Sequence, residues 1–364
     1  MAETNRQKIW NSMKKIYGND GHSIGNIEVI NSGSDSLNDA LGVWGLPKGR
    51  IIQFAGKESS GKTLMSLIAI KEWQKLDPEN WAIFVDAEYT YDKFWAKQLG
   101  VDTDRVFLIK ENSGVEIFDQ LCGIPNKELG KAKAKPGILD LEKENPSGLG
   151  IIVIDSIAGM IPPITMTKEV GNTNIAPMGR FLPDALPRII PLLSQTGVIL
   201  IAINQVRVDV GKMWGDPTST PGGKALKHYS SVMVHFTASE SKKNLILNSS
   251  EDVIGHIVGA RIDKNKVGPP RRVCSFSIDY TNGVINRNIE IGELAIKYGV
   301  IERPNNTSYV YGEERWVGKD NFFNSINNDV MLNELLEKIK VAKLNCQDKV
   351  IVNNEENLIE EQGE

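Results

Sequence analysis

No run of eighteen apolar residues occurs anywhere in this chain of 364 residues, which excludes a membrane-spanning helix of ordinary length. The opening Met1-Ala2-Glu3-Thr4-Asn5-Arg6-Gln7-Lys8 also lacks the hydrophobic segment of a secretory leader, so the expected compartment is the cytoplasm. Cysteine is scarce. Cys122, Cys274 and Cys346 are odd in number and far apart, which argues against a disulfide framework and a zinc site and fits a reducing environment. No internal repeat is visible, and excess positive charge is missing too. The net charge of −4 and the pI of about 5.8 do not advertise a nucleic-acid binder. Residues 348–364 explain that sign, with six acidic side chains against Lys349 alone, and they leave the body at about +1. This tail reads as a solvated, disordered end, or alternatively as a regulatory arm that competes with an anionic partner.

What is present is an ordinary globular composition, 41% hydrophobic and 24% charged, around one conspicuous octet, Gly56-Lys57-Glu58-Ser59-Ser60-Gly61-Lys62-Thr63. Ile51-Ile52-Gln53-Phe54-Ala55 before it reads as a buried strand, and Leu64-Met65-Ser66-Leu67-Ile68-Ala69-Ile70 after it continues as a helix. Strand, glycine-rich loop and helix together make a P-loop. Gly56 and Gly61 permit the backbone angles that let successive N–H groups curl around phosphate oxygens at a helix N-terminus. Lys62 suits the outer phosphates, and the Thr63 hydroxyl suits Mg²⁺, which keeps most of its waters and needs few protein ligands. The octet with Leu64 is therefore the expected site for ATP.

Four further apolar runs alternate with helical patterns: Trp81 to Val85, Val106 to Ile109, Ile151 to Ile154 and Val198 to Ile203. Continuous apolar strands of this kind predict an α/β protein whose parallel sheet is covered on both faces. Residues 4–17 carry Ile9, Trp10, Met13, Ile16 and Tyr17 at helical spacing, which predicts an amphipathic helix that packs on its own core or on a neighbouring subunit. Residues 124–150, rich in Lys with Pro136 and Pro146, read as a surface excursion without an element of its own. From about 287 a small α+β unit is expected.

In open parallel sheets ligands lie beyond the carboxyl ends of the strands. Here one run stops at Asp155, placed for the magnesium's water shell; another stops at Asp86-Ala87-Glu88, where a carboxylate could orient and deprotonate an attacking water. The last stops at Asn204-Gln205, an amide able to sense the terminal phosphate. Directly after it hangs the long loop of 206–224, in which basic and apolar side chains interleave. That pattern suits a single nucleic-acid strand, with Arg207, Lys212 and Lys224 on phosphates and Val210 or Trp214 against bases. An earlier loop, 166–180, ends in Ile175, Met178, Gly179 and Arg180 and could flank the same path. A pair of lids without a partner is the alternative.

Gly56 to Thr63, Asp86-Ala87-Glu88, Val153-Ile154-Asp155-Ser156, Ile203-Asn204-Gln205-Val206-Arg207 and Gly222-Gly223-Lys224-Ala225-Leu226-Lys227 together resemble, in order, the pattern of the bacterial RecA recombinases. The lead-in Gly45-Leu46-Pro47-Lys48-Gly49-Arg50-Ile51 is similar as well, and the likeness runs from about residue 4 to 345. It implies an N-terminal oligomerisation arm (1–24), a RecA-like ATPase core with two DNA-binding loops (25–286), a small C-terminal α+β domain (287–345) and an acidic tail (346–364). It further implies an ATP- and Mg²⁺-dependent filament on single-stranded DNA that pairs it with homologous duplex. Glu88 resembles the catalytic carboxylate, Asp155 and Thr63 the magnesium side, and Gln205 the switch into the second DNA loop, which would include Gly222 and Gly223. Asp92 and Trp95 fall where the family contacts adenine, and Tyr280 matches a residue that lines the same pocket from across the subunit interface. Lys264 and Lys266 match a pair that reaches the neighbour's ATP, as an arginine finger would. On the residues alone, a solvated strand edge is the equal alternative for those lysines. Several positions depart from the pattern. Lys57 replaces a common proline, Asp209 and Met233 stand where basic residues are frequent, and His228 replaces an aromatic; Gly259 replaces a basic residue, so stimulation of repressor self-cleavage, and with it the SOS response, is not implied. A ring helicase on the same core and an annealing filament without strand exchange are the competing readings.

Overall fold

The computed structural model describes Lys8, Asn11 and residues 27–125, 133–166, 177–208, 218–219, 223–238 and 241–346. The expected N-terminal helix lies outside them, save for Lys8 and Asn11, which are both helical, and so does the acidic tail from 347.

Chain order sets up the sheet. Helix α1 (Asp35–Leu41) is opened by Ser34, whose hydroxyl accepts from the Leu37 amide, and closed by Gly42 at φ 84°. Strand β1 (Ile51–Gly56) runs through the P-loop into α2 (Lys62–Gln74). Then follow β2 (Trp81–Asp86), α3 (Lys93–Gln98), β3 (Val106–Ile109), α4 (Gly114–Cys122), α5 (Ile138–Glu144), β4 (Leu149–Asp155), α6 (Pro177–Thr196) and β5 (Ile199–Gln205). After α7 (Gly223–Tyr229) the chain turns to β6 (Val232–Ala238), β7 (Leu245–Leu247), β8 (Val253–Asn265), β9 (Val273–Asp279) and β10 (Gly283–Ile285). The C-terminal part comprises α8 (Arg287–Lys297), β11 (Ser308–Tyr311), β12 (Glu314–Val317), α9 (Lys319–Ser325) and α10 (Asp329–Cys346).

These strands form a 10-stranded sheet in the order β10-β9-β8-β6-β1-β5-β4-β2-β3, with β7 added to β8. From β6 to β3 all neighbours are parallel; from β6 to β10 all are antiparallel. The period of two in the apolar runs is what covers both faces. Ile52, Phe54, Ile151, Val153, Ile199 and Ile201 join one buried cluster with α2, whereas Ile51, Ile152, Ile154, Leu200 and Ala202 join the other with α4, α5 and α6. Helix α6 survives Pro183, Pro187 and Pro191 because their spacing of four keeps all three exposed, where water replaces the lost N–H bonds, while Leu182, Leu186, Ile189 and Leu193 face the sheet.

The expected parallel-rich sheet is borne out at the centre, and the antiparallel flank lacks continuous apolar runs because its strands alternate apolar and polar and are covered on one face only. One expectation needs correction: the excursion at 124–150 is not devoid of structure, since α5 buries Leu139 completely and β4 already begins at Leu149. Gly137 N donates to Asp140 at 2.9 Å at the start of α5, and Arg188 of α6 donates to the Gly123 carbonyl at the end of α4 at 2.7 Å. The apolar residues of α5 are too few for a periodicity signal between Pro136 and Pro146.

Beyond 287 a third cluster gathers Ile291, Leu294, Phe322, Phe323, Leu335 and Ile339. Buried ions tie it to α1. Asp39 accepts from Lys343 at 2.6 Å, the Tyr298 hydroxyl at 2.7 Å and Lys297 at 2.8 Å. Burial alone would raise the Asp39 carboxyl, but these three donors hold it below its ordinary value. Glu290 accepts from the Ser34 hydroxyl at 2.6 Å and the Ser36 amide at 2.8 Å, and burial pushes its carboxyl up to about 7. Because the folded chain holds that proton more tightly than the unfolded chain, the site's contribution to stability is greatest below an ordinary glutamate pKa and is lost as pH rises through about 7. Glu290→Gln should therefore gain about 1–3 kcal/mol relative to the native chain at pH 8 but little at pH 5. Urea unfolding at the two pH values tests this, and an equal difference at both would contradict it.

A nucleotide cleft at the strand ends

The four strands β2, β4, β5 and β1 deliver their ends to one rim because their registers are fixed. Asp86 lies beside Asp155, and Gly56 lies beside Gln205. The loop that follows Gly56 needs its glycines. A Cβ at Gly56 would lie 2.5 Å from both the Phe236 carbonyl oxygen and Ser60 Oγ, while Gly61 has φ 88° and packs under Ile278. Lys62 then reaches back to the Lys57 carbonyl at 2.5 Å and to Ser60 Oγ at 3.3 Å. Burial lowers its pKa, and Asp155, Glu58 and Glu88 oppose that shift.

Thr63 Oγ1 donates to Asp155 Oδ2 at 2.6 Å. Burial pushes the Asp155 carboxyl up to about 6; Thr63 counters this, and nearby Glu88 and Asp86 add to it. Glu88 stands half-buried between the rim strands, its carboxylate taking a short hydrogen bond from Ser156 Oγ. Asp86, which sequence reasoning grouped with Glu88, is fully buried and accepts from the Thr90 amide at 2.9 Å and the Tyr91 amide at 3.0 Å. It shapes the turn that presents Glu88.

Ser59, Ser60, Gly61, Lys62, Thr63 and Leu64 form one side of a cleft of about 580 Å³, and Thr90, Trp95, His256, Ile278 and Tyr280 form the other. Lys57 and Glu58 are exposed on the loop and do not line it. Asp92 does not line it either; its Oδ1 caps α3 by accepting from the Phe94 and Trp95 amides. Trp95 and Tyr280 do meet, the Trp95 indole donating to the Tyr280 carbonyl at 2.7 Å. Tyr280 lines the cleft of its own chain, where the β9–β10 hairpin folds over the P-loop. His256 was missed: a single histidine inside an alternating strand carries no motif.

The remaining predicted residues fall elsewhere. Gln205 is half-buried at the end of β5, and the next amide, Val206 N, donates to the Gly56 carbonyl at 3.2 Å. Lys264 is not at the P-loop; it donates to the Lys227 and His228 carbonyls at 2.6 and 2.8 Å and so closes the C-terminus of α7. Lys266 is exposed just beyond it. Gly179, Lys224, Lys227, His228 and Lys264 share a second cleft of about 590 Å³, while Met178 is buried and Arg180 exposed at the start of α6. Gly223 opens α7, and Arg207 pairs through its backbone with Ser219. Ile175, Val210, Lys212, Trp214 and Gly222 lie outside the described residues.

A parallel sheet, a P-loop at its rim and acids on the adjoining strand ends define an α/β nucleotide-binding protein. The family model of the RecA N-terminal domain matches residues 8–125 and 138–285. Protein RecA of Staphylococcus epidermidis is 33% identical over 329 residues, which covers 90% of this chain and 86% of that protein. Protein RecA of Macrococcus caseolyticus is 35% identical over 318 residues, covering 87% and 82%. Among solved structures, the RadB recombinase superposes with a TM-score of 0.48 at 17% identity, over 70% of this chain and 98% of that one. The chain belongs to the RecA family, the ATP-hydrolysing recombinases of homologous pairing and DNA repair. The gap in the family match, residues 126–137, includes Lys133–Lys135, which pairs with Ile124–Pro125.

Gly56→Ala tests how tightly the loop is built. Its methyl group would meet backbone on one side and Ser60 on the other. The variant should lose about 1–3 kcal/mol in urea unfolding, with nucleotide binding weakened in parallel. Native stability and affinity would show that the loop yields freely.

Proposed function

We propose that the P-loop cleft takes ATP with Mg²⁺ and that the chain assembles on single-stranded DNA as a filament, pairs it with homologous duplex and exchanges strands. The supporting observation is the direct bond from Val206, the first residue of the second loop, to Gly56, the first residue of the P-loop. A shift of the P-loop on binding phosphate is thereby communicated to the loop assigned to DNA, with Gln205 alongside as the sensor. Nucleotide biases the filament only by binding one of its forms better than the other.

In this reading the Lys57 carbonyl oxygen that holds Lys62 stands in for a phosphate oxygen, and the ammonium transfers to the outer phosphates when ATP enters. Thr63 and Asp155 would hold Mg²⁺, and the fit rests on their direct contact and on a buried acid, with Glu88 and Asp86 close by, whose charge a cation would offset. Bound magnesium would neutralise charge on the phosphates. Glu88 accepts the proton of the attacking water once Ser156 releases it, and Lys264 and Lys266 serve the site of the adjoining subunit. DNA follows Met178, Gly179, Arg180 and Lys224 with Ile175, Arg207, Val210, Lys212, Trp214, Gly222 and Gly223. Gly179 and Lys224 supply the chain-level support, since they line one basic cleft. Residues 1–24 serve as the oligomerisation arm, 25–286 as the ATPase core, 287–345 as a smaller domain and 346–364 as an acidic tail, all working in the cytoplasm. Among the described residues no helix is long and apolar enough to cross a membrane.

ATP turnover with and without single-stranded DNA is the direct test, read beside electron microscopy with an ATP analogue. DNA should stimulate turnover, and helical filaments should appear. Glu88→Gln should lower turnover about 10²–10⁴-fold while DNA binding persists, and Lys62→Ala should lose both ATP-dependent activities. Closed hexamers, or equal turnover without DNA, would refute the reading.

A further inference from the structure

A histidine underlies the aromatic wall of the nucleotide cleft. His256 lies on β8, 4% exposed, and lines the cleft with Tyr280. Its Nδ1 is 3.0 Å from the Tyr280 hydroxyl, with ring centroids 5.6 Å apart. Tyr280 in turn receives the Trp95 indole N–H on its carbonyl at 2.7 Å. Residues of β8, the β9–β10 turn and α3 are thus linked along a single wall, through the Tyr280 hydroxyl on one side and its backbone carbonyl on the other.

Burial lowers the pKa of His256, which favours the neutral ring. A neutral imidazole has one donor and one acceptor nitrogen, and a phenol either donates or accepts, so the bond forms in both tautomers. The other ring nitrogen, Nε2, is buried and has no hydrogen-bond partner among the described residues. The orientation of the ring and that of Tyr280 therefore depend on each other. Tyr280 is 40% exposed, and packing alone would leave its ring free to swing.

We infer that His256 is a positioning residue for the nucleotide: through the Tyr280 hydroxyl it holds the aromatic wall against which the base is seated. It acts on affinity, not on the phosphates, which lie at the P-loop end of the cleft. The inference rests on the proposed assignment of this cleft to ATP.

The test measures binding of a fluorescent ATP analogue, with KM and kcat for ATP, in the native chain, Tyr280→Phe, His256→Phe, His256→Asn, the double phenylalanine variant and Lys62→Ala. Tyr280→Phe removes only a hydroxyl from a partly exposed ring and leaves the fold intact. It should weaken binding and raise KM about three- to tenfold, with kcat at saturating ATP within about twofold of native. His256→Phe should do the same, the double variant should be no worse than either single one, and His256→Asn, which returns a polar group near the place of Nδ1, should recover most of the loss. Native KM in Tyr280→Phe, additive losses, or a fall confined to kcat would overturn the inference. If Lys62→Ala also binds like the native chain, the cleft assignment fails; if Lys62→Ala loses binding and Tyr280→Phe does not, only the role of His256 fails.

Discussion

Backbone pairing between neighbouring parallel strands is the constraint on which this molecule rests. Strands β1, β5, β4 and β2 bury apolar side chains on both faces, Gln53 of β1 excepted, and polar residues collect where the strands stop. Once Gly56 lies beside Gln205 and Asp86 beside Asp155, the separations among loop, acids and amide follow from sheet geometry alone. The Thr63–Asp155 contact is the visible result, joining the first turn of α2 to a strand two places away in the sheet.

The antiparallel flank completes what the parallel half begins. It adds no phosphate-binding group, but it returns across the P-loop and gives the cleft its apolar side through Ile278, Tyr280 and His256. The P-loop and the helix N-terminus come from the parallel half, and the aromatic wall opposite comes in part from the antiparallel half. Lys264 closes the C-terminus of α7 and lines the second cleft, apart from the P-loop.

Much of this was legible in the sequence where several local signals coincide. The octet from Gly56 to Thr63, the buried runs and the acids that end them are each short-range features, and a parallel sheet assembles them without further information. Legibility failed where meaning depended on distant partners. Asp86 and Glu88 look equivalent in a string, yet one is fully buried and bonded to two amides while the other is half-buried and bonded to the Ser156 hydroxyl. Asp92, expected as a ligand, also caps α3 through its Oδ1, a second role that the string does not show. Helix α5 lacks enough apolar residues to announce itself, although one of them, Leu139, is completely enclosed by the second core cluster. His256 acquires significance only when the β9–β10 turn places a phenol beside it.

The pair formed by Asp39 and Lys343 has an architectural corollary. Lys343 occupies the final turn of α10, 304 positions from its partner, and both side chains are almost completely enclosed. The smaller C-terminal cluster is consequently latched at its far end as well as at its hinge near Arg287, where Asp35 waits. Shortening the chain beyond Cys346 would leave this latch closed, whereas stopping a single helical turn earlier would strip one countercharge from a buried acid and loosen everything that α10 carries.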